Sequence, residues 1–330
     1  MTVPEKGEGP LFQMPDPDGG RAFFASKNRT LTDKRMTAVE VVETFIPDDC
    51  FLAAGGFGTN RIPAEVLHEI LRARRKNLTF LGHTSTHDFE ILCAGGCLGR
   101  VDAAYIVGLE ARGLSPVARR AIQSGEVEVC EWSNHALSVR LRAAAEGLPF
   151  GVARSMLGTD TFGRSAATTI ECPFTGLKLA ALPACSPDVA VIHVHEADVH
   201  GNARIFGITS ADMELARAAK RVIVTAERII ETDRIRERPE ATSIPFYLVD
   251  AVVHSPHGSY PGNMPYEYFS DEDHLAAWLK AERDPEAFAA FLEKHIYGVS
   301  DFREYLELCG GEARMKELRA EELMQGDGAG

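Results

Sequence analysis

From Thr37 to Gly147 the chain alternates strand-like and helix-like runs, and this alternation constrains the fold more than any other feature. A capping box, Thr37 to Glu40, opens the helical run AVEVVETFI. CFLAA then reads as a strand, AEVLHEILRARR as a helix, LTFLG as a strand and FEILCAG as a short helix. RVDAAYIVG, PVARRAIQSG, EVEVCEW and HALSVRLRAAAEG continue the pattern as strand, helix, strand and helix, with Gly125 and Gly147 ending the two helices. Strands separated by whole helices pair through crossovers rather than hairpins. The expected class is therefore α/β, a largely parallel sheet with flanking helices.

Outside this block the pattern changes. Residues 1–33 are rich in Pro, Gly and Asp and are expected to form an extended N-terminal arm. Residues 151–177 read as a long loop or excursion. Strand signals return in DVAVIHVHEA, KRVIVTAE and YLVDAVVHS, and SPHGSYPGNMPYEYF, residues 255–269, is turn-rich and aromatic. From about residue 272 the chain is helical. The organisation is thus an arm, 1–33, followed by one α/β domain, 34–330, with a helical C-terminal extension.

Bulk properties exclude several classes. Among 330 residues, 45% are hydrophobic and 25% charged, an ordinary globular balance, and the net charge is −13. Such an acidic chain is not built to follow a phosphate backbone or an anionic membrane surface. No run reaches the length of a membrane span, and MTVPEKGEGP lacks the apolar core of a signal peptide. Seven scattered cysteines, an odd number, read as reduced thiols, so a cytoplasmic location is expected.

In a parallel sheet the loops after the strands share one rim and face the ligand crevice. That rule gathers GGFG (55–58), GHTSTHD (82–88), GLEARG (108–113) and WSNH (132–135) along one edge. The glycine loop is neither G-x-G-x-x-G nor a P-loop, so no dinucleotide or nucleotide site is read there. A structural turn and a close backbone approach to a ligand both fit it. Asn134, just past a strand, is placed either to cap a helix or to donate a hydrogen bond to a carbonyl oxygen gaining charge. His193, His195 and His200 lack metal-site spacing and read as hydrogen-bonded structural residues. Cys93 and Cys97 read as packing thiols. No metal is expected.

DDCFLAAGGFGTNRIP, residues 48–63, resembles the first signature of class I coenzyme A transferases. Asp48, Leu52 to Ala54, Gly55, Gly56, Phe57 and Pro63 match, whereas Asp49 and Arg61 stand where Gly or Asn, and Gly, are usual. The likeness runs over roughly 35–320. KRVIVTAERII, IPFYLVDAVVHSPHGSYPGN and the helical tail are similar to the A subunit of glutaconate coenzyme A-transferase. The resemblance implies a two-subunit enzyme in which a glutamate of a B-type subunit, in an S-E-N-G-like motif, attacks the acyl-CoA thioester. No such motif occurs here, so this chain is similar to the half without the nucleophile. CoA is then a substrate, and no cofactor is implied.

By the same resemblance Gly55, Gly56, Phe57 and Gly58 form a wall against substrate. Ser133 touches substrate, and Asn134 holds the oxyanion where relatives commonly have Gln. Glu110 and Arg112 fall on the acyl pocket, where Arg112 suits a carboxylate and Glu110 repels one. The reaction implied moves CoA between a short-chain or dicarboxylic acyl-CoA and a free carboxylate. The alternatives are a CoA-ester hydrolase or decarboxylase subunit on the same scaffold, and a non-catalytic ligand-sensing module.

Overall fold

The computed structural model describes residues 5–106, 108–109 and 112–324. The alternating block forms strands β1 (Phe51–Ala54), β2 (Leu78–His83), β3 (Leu98–Ala104) and β4 (Glu128–Glu131). A separate sheet contains β5 (Phe150–Ala153), β6 (Thr168–Glu171) and β7 (Lys178–Pro183). β8 (Val189–Ala197), β9 (Arg221–Ile229) and β10 (Ala251–His254) follow. The main sheet runs β10-β9-β8-β1-β2-β3-β4, all parallel, and Ala203–Arg204 adds a short antiparallel strand against β8. The chain therefore starts in the middle, builds outward to β4, and returns to the far side of β1 with β8. The order reverses between β1 and β8, which is where an open parallel sheet forms a crevice beyond its carboxyl ends.

Helices α1 (Pro17–Ser26), α2 (Ala38–Phe45), α3 (Ala64–Arg72), α4 (His87–Ala94), α5 (Pro116–Gln123), α6 (Asn134–Ala145) and α7 (Asp212–Ala218) precede the C-terminal block. The expected capping box is present on α2: Thr37 accepts from the Glu40 amide and Glu40 accepts from the Thr37 amide. Alternation along β1 shows how the sheet divides its cores. Leu52 and Ala54 enter the cluster built with α2 to α5, whereas Phe51 and Ala53 enter the one shared with α6, α7 and the antiparallel sheet. The tail forms α8 (Glu272–Ala281), α9 (Pro285–Leu292), α10 (Phe302–Leu308) and α11 (Gly311–Glu322), as expected from the sequence. Ile62, Tyr260, Phe302, Tyr305 and Met315 bind this block to the domain through a third cluster.

Two expectations are corrected. The N-terminal arm is not extended throughout. Asp16 caps the Gly19 amide at 2.9 Å, Pro17 opens α1, and residues 17–26 are helical. The arm also lies on its own chain: Gly7 bonds Ala167 at 2.8 Å, and Lys27 pairs with Asp250 at 2.9 Å in a nearly buried contact. Residues 151–177 are likewise not a loop, since they contribute to the three-stranded antiparallel sheet ordered β5-β7-β6. Its strands are four to six residues long, too short for an alternating pattern to stand out against the Gly- and Thr-rich turns between them.

Candidate active-site cleft

The strand ends place the site. Beyond β1 the chain turns through Gly55 to Gly58; beyond β2 it passes Thr84, beyond β3 Tyr105, and beyond β4 Asn134. Because β1 to β4 are consecutive neighbours, these four segments meet. Phe57, Gly58, Thr59, Asn60, Thr84, Tyr105, Asn134 and Asn263 line an open cleft of about 460 Å³. The Gly58 amide donates to the Thr84 carbonyl at 2.7 Å, locking the glycine loop to the β2 loop. Asn263, from the aromatic 255–269 stretch, closes one side by pairing with Asn60 and Thr59. Of the four loops expected on one rim, the glycine loop, the β2 loop and the Asn134 segment line the cleft, whereas beyond β3 the lining residue is Tyr105 and none of the described residues of GLEARG.

The glycines divide into two kinds. A Cβ on Gly55 would sit 2.4 Å from Asp212 Oδ1, and one on Gly56, at φ +93°, would sit 2.4 Å from the Asn60 carbonyl oxygen. Neither lines the cleft; both pack against their own chain. Gly58, at φ +64°, has nothing within 4 Å of a built Cβ and borders the opening. The close approach expected of all three glycines is therefore to Asp212 and to the loop itself at Gly55 and Gly56. Gly56→Ala is expected to cost about 2 kcal/mol or more through strain and overpacking. Gly58→Ala is expected to cost only about 1 kcal/mol. Urea unfolding of both variants separates the two cases, and equal losses would contradict this division.

A buried ion pair props the loop. The Arg61 and Asp212 side chains are both fully buried and 2.7 Å apart. Asp212 Oδ1 also accepts from the Gly56 amide at 2.8 Å, and Arg61 donates to the Ile208 carbonyl at 2.7 Å. Arg61 has φ +60° and Asp49 φ +63°. Both departures from the family signature thus fall on left-handed backbone, where Gly or Asn is least strained.

Asn134 is the first residue of α6, but Ser133 caps the helix by accepting from the Ala136 amide at 3.1 Å. Ser133 thus has a structural assignment, and Asn134 is relieved of capping. The Asn134 Oδ1 is buried with no hydrogen-bond partner among the described residues. At the wall of a cleft, a buried amide oxygen without a partner is suited to a ligand's donor. The helix beneath it is held by Ser138, which donates to the Asn134 carbonyl at 3.2 Å and meets His83 Nε2 at 3.1 Å. Burial lowers the His83 pKa below its ordinary value.

Other expected residues lie elsewhere. Arg112 does not line this cleft; Glu272 of α8 holds its guanidinium through Nε and Nη2. Glu110 lies outside the described residues. Within the β2 loop, Thr84 takes φ +48° and its Oγ1 is buried without a partner among the described residues. Sequence reasoning does not single out Thr84, Tyr105, Asn60 or Asn263. It puts the GHTSTHD stretch on the rim, but nothing in that composition distinguishes Thr84 from its neighbours. His193 and His195 are buried and hydrogen-bonded as expected: His193 to Thr225 and Glu227 at 2.8 and 2.9 Å, His195 to the Pro265 carbonyl at 2.9 Å. Cys93 and Cys97 are both buried in the core.

Behind the cleft, in the first turn of α4, burial pushes the Asp88 carboxyl up to about 6 from an ordinary 3.8. A carboxyl whose folded pKa is raised stabilises the fold while protonated, fully below pH ~4, and that contribution is lost as pH rises through about 6. Asp88→Asn, which stays neutral, is expected to gain on the wild type by up to about 3 kcal/mol between pH ~4 and pH ~7. Urea midpoints at several pH values check this; a pH-independent difference would contradict it.

An open parallel α/β sheet with a ligand crevice at its strand-order reversal, and a glycine loop sharing a cleft with an amide side chain, defines the class of scaffold. Comparison with known proteins makes it particular. The family described as Coenzyme A transferase matches residues 35–255. The A subunit of 3-oxoadipate CoA-transferase from Pseudomonas knackmussii is 35% identical over 82% of this chain and 96% of its own. The A subunit of glutaconate CoA-transferase from Acidaminococcus fermentans is 32% identical over 84% of this chain and 92% of its own. The crystal structure of that glutaconate enzyme superposes with a TM-score of 0.82, covering 86% of this chain and 95% of its own at 30% identity. A variant of the decarboxylase AibA/AibB superposes with a TM-score of 0.73 at 32% identity, covering 80% of this chain and 98% of its own. The chain belongs to the coenzyme A transferase family.

Proposed function

We propose that this chain is the A-type, non-nucleophile half of a two-subunit CoA-transferase. One observation carries the reading: the cleft is lined by the side-chain amide of Asn134 and by no carboxylate among the described residues. Acyl transfer through a covalent intermediate needs a nucleophile, and the walls of this cleft supply only stabilising groups. A B-type subunit provides the glutamate. Its carboxylate attacks the thioester carbon, a C–O bond forms, the C–S bond breaks, and CoA thiolate leaves an acyl-glutamyl anhydride. The thiolate then attacks the glutamyl carbonyl and releases the first acid, leaving a glutamyl-CoA thioester for the acceptor carboxylate. Asn134 Nδ2 donates to the oxyanion of these tetrahedral states.

The substrates are a short-chain or dicarboxylic acyl-CoA and a free carboxylate. Glutaconate and 3-oxoadipate, in the names of the two transferase relatives, are both dicarboxylates. No Lys or Arg lines the cleft among the described residues. The far carboxylate would therefore meet neutral donors such as Asn60 and Asn263, with CoA as substrate and no cofactor. Seven free thiols, five of them buried, support a cytoplasmic setting. No helix among the described residues is long and apolar enough to cross a membrane.

The test is exchange of CoA between an acyl-CoA and a dicarboxylate by this chain alone, by its B-type partner alone, and by both. Activity only in the mixture is expected. Net hydrolysis or CO2 release without transfer would instead favour the hydrolase or decarboxylase reading.

A further inference from the structure

A second cluster lies outside the cleft, within the C-terminal helical block. His274, His295 and Cys309 place one ligand atom each within 4.8 Å of one another. They come from three different elements. His274 lies in the first turn of α8, Cys309 ends α10, and His295 sits in a π-helical turn, Glu293–Tyr297, that directly continues α9. Such a turn inserts a residue into the helical register and re-aims a side chain; these insertions are enriched at functional sites.

The imidazoles are already oriented. His295 Nδ1 donates to the Phe291 carbonyl at 2.9 Å, which fixes the tautomer and leaves Nε2 as a lone pair. His274 Nε2 is held by the Tyr305 hydroxyl at 3.0 Å, and its Nδ1 faces Cys309 Sγ at 3.8 Å. Outer hydrogen bonds of this kind are how proteins set metal-binding histidines. In tetrahedral zinc the metal lies about 2.1 Å from nitrogen and about 2.3 Å from sulfur, so ligand atoms stand roughly 3.3–3.7 Å apart. The cluster needs to contract by about 1 Å to reach that spacing. His68, fully buried with neither ring nitrogen paired among the described residues, packs edge-on against Tyr305 at 4.8 Å between centroids. The same core region thus holds a further polar group with no protein partner among the described residues.

We propose that His274, His295 and Cys309 bind a zinc-class divalent cation that staples α8, the end of α9 and α10 together. Two imidazoles and a thiolate form a borderline-soft donor set that suits zinc. His274 and Cys309 are partly exposed, so solvent reaches the site and water completes the fourth position. None of the three residues lines the active-site cleft. The site is independent of the acyl-transfer reading.

The full chain, stripped of metal by a chelator under reducing conditions, is titrated with Co2+ and followed by its thiolate charge-transfer and d–d absorption. The wild type is expected to bind about one equivalent with tetrahedral thiolate spectra, and Zn2+ to displace it and raise the melting temperature. Cys309→Ser is expected to lose the charge-transfer band, and His295→Gln, which removes a ligand outright, to weaken binding by at least the ~10- to 100-fold that loss of an outer partner costs. Absence of thiolate-ligated Co2+ in the folded wild type would overturn the proposal. So would binding that survives intact in both variants.

Discussion

Asn134→Ala, in complex with the B-type partner, is expected to lower kcat by about 10²- to 10³-fold, the range for removing one oxyanion donor. The helix gives a way to separate chemistry from folding. Ser133 carries the N-cap and Asn134 sits one residue inside, so alanine at 134 leaves the cap intact and favours the helix slightly. KM and the unfolding midpoint should therefore stay close to wild type. Ser133→Ala is the complementary control: it is expected to cost about 1 kcal/mol of stability as a lost cap while leaving turnover nearly unchanged. Asn134→Gln restores a donor with one more methylene and should recover part of the rate. A kcat for Asn134→Ala within a few-fold of wild type would remove the residue from the mechanism.

Asp212→Ala is expected to have the largest effect on stability, about 3–5 kcal/mol, because it strands the fully buried Arg61 guanidinium without a counter-charge. The same carboxylate holds the Gly56 amide, so the glycine loop loses its anchor as well. Asp212→Asn keeps the shape and the acceptor to Gly56 but not the charge, and should fall between wild type and Asp212→Ala. Urea unfolding measures both. A loss under about 1 kcal/mol in Asp212→Ala, the scale of an ordinary surface pair, would show that the pair is not what fixes the loop.

The main sheet and the C-terminal helices are legible in the sequence because their residues carry strong local signals. Thr37 and Glu40 form a complete capping box, and β1 to β4 are separated by helices, of which α3 and α5 have clear apolar faces while the short α4 is buried on all sides. The loop rim follows from that topology. What is not legible depends on contacts between distant segments. Gly55 and Gly56 look like a ligand loop in sequence, and only the return of the chain at Asp212, more than 150 residues later, shows what they approach. Arg112 reads as available to a substrate, yet Glu272 of the C-terminal block engages it. The short strands of the antiparallel sheet are hidden for a different reason: they find their alternation only when paired. The unusual Asp49 and Arg61 can be seen in the sequence, but the left-handed backbone beneath them cannot.

The central claim is that the reactive acid belongs to the partner and not to this chain. The direct measurement is to mix the two subunits with acyl-CoA, add borohydride during turnover, and map both chains by mass spectrometry. A single glutamate of the partner reduced to its alcohol, with every carboxylate of this chain unmodified, is the predicted result. A reduced Asp or Glu on this chain, with none on the partner, would contradict it.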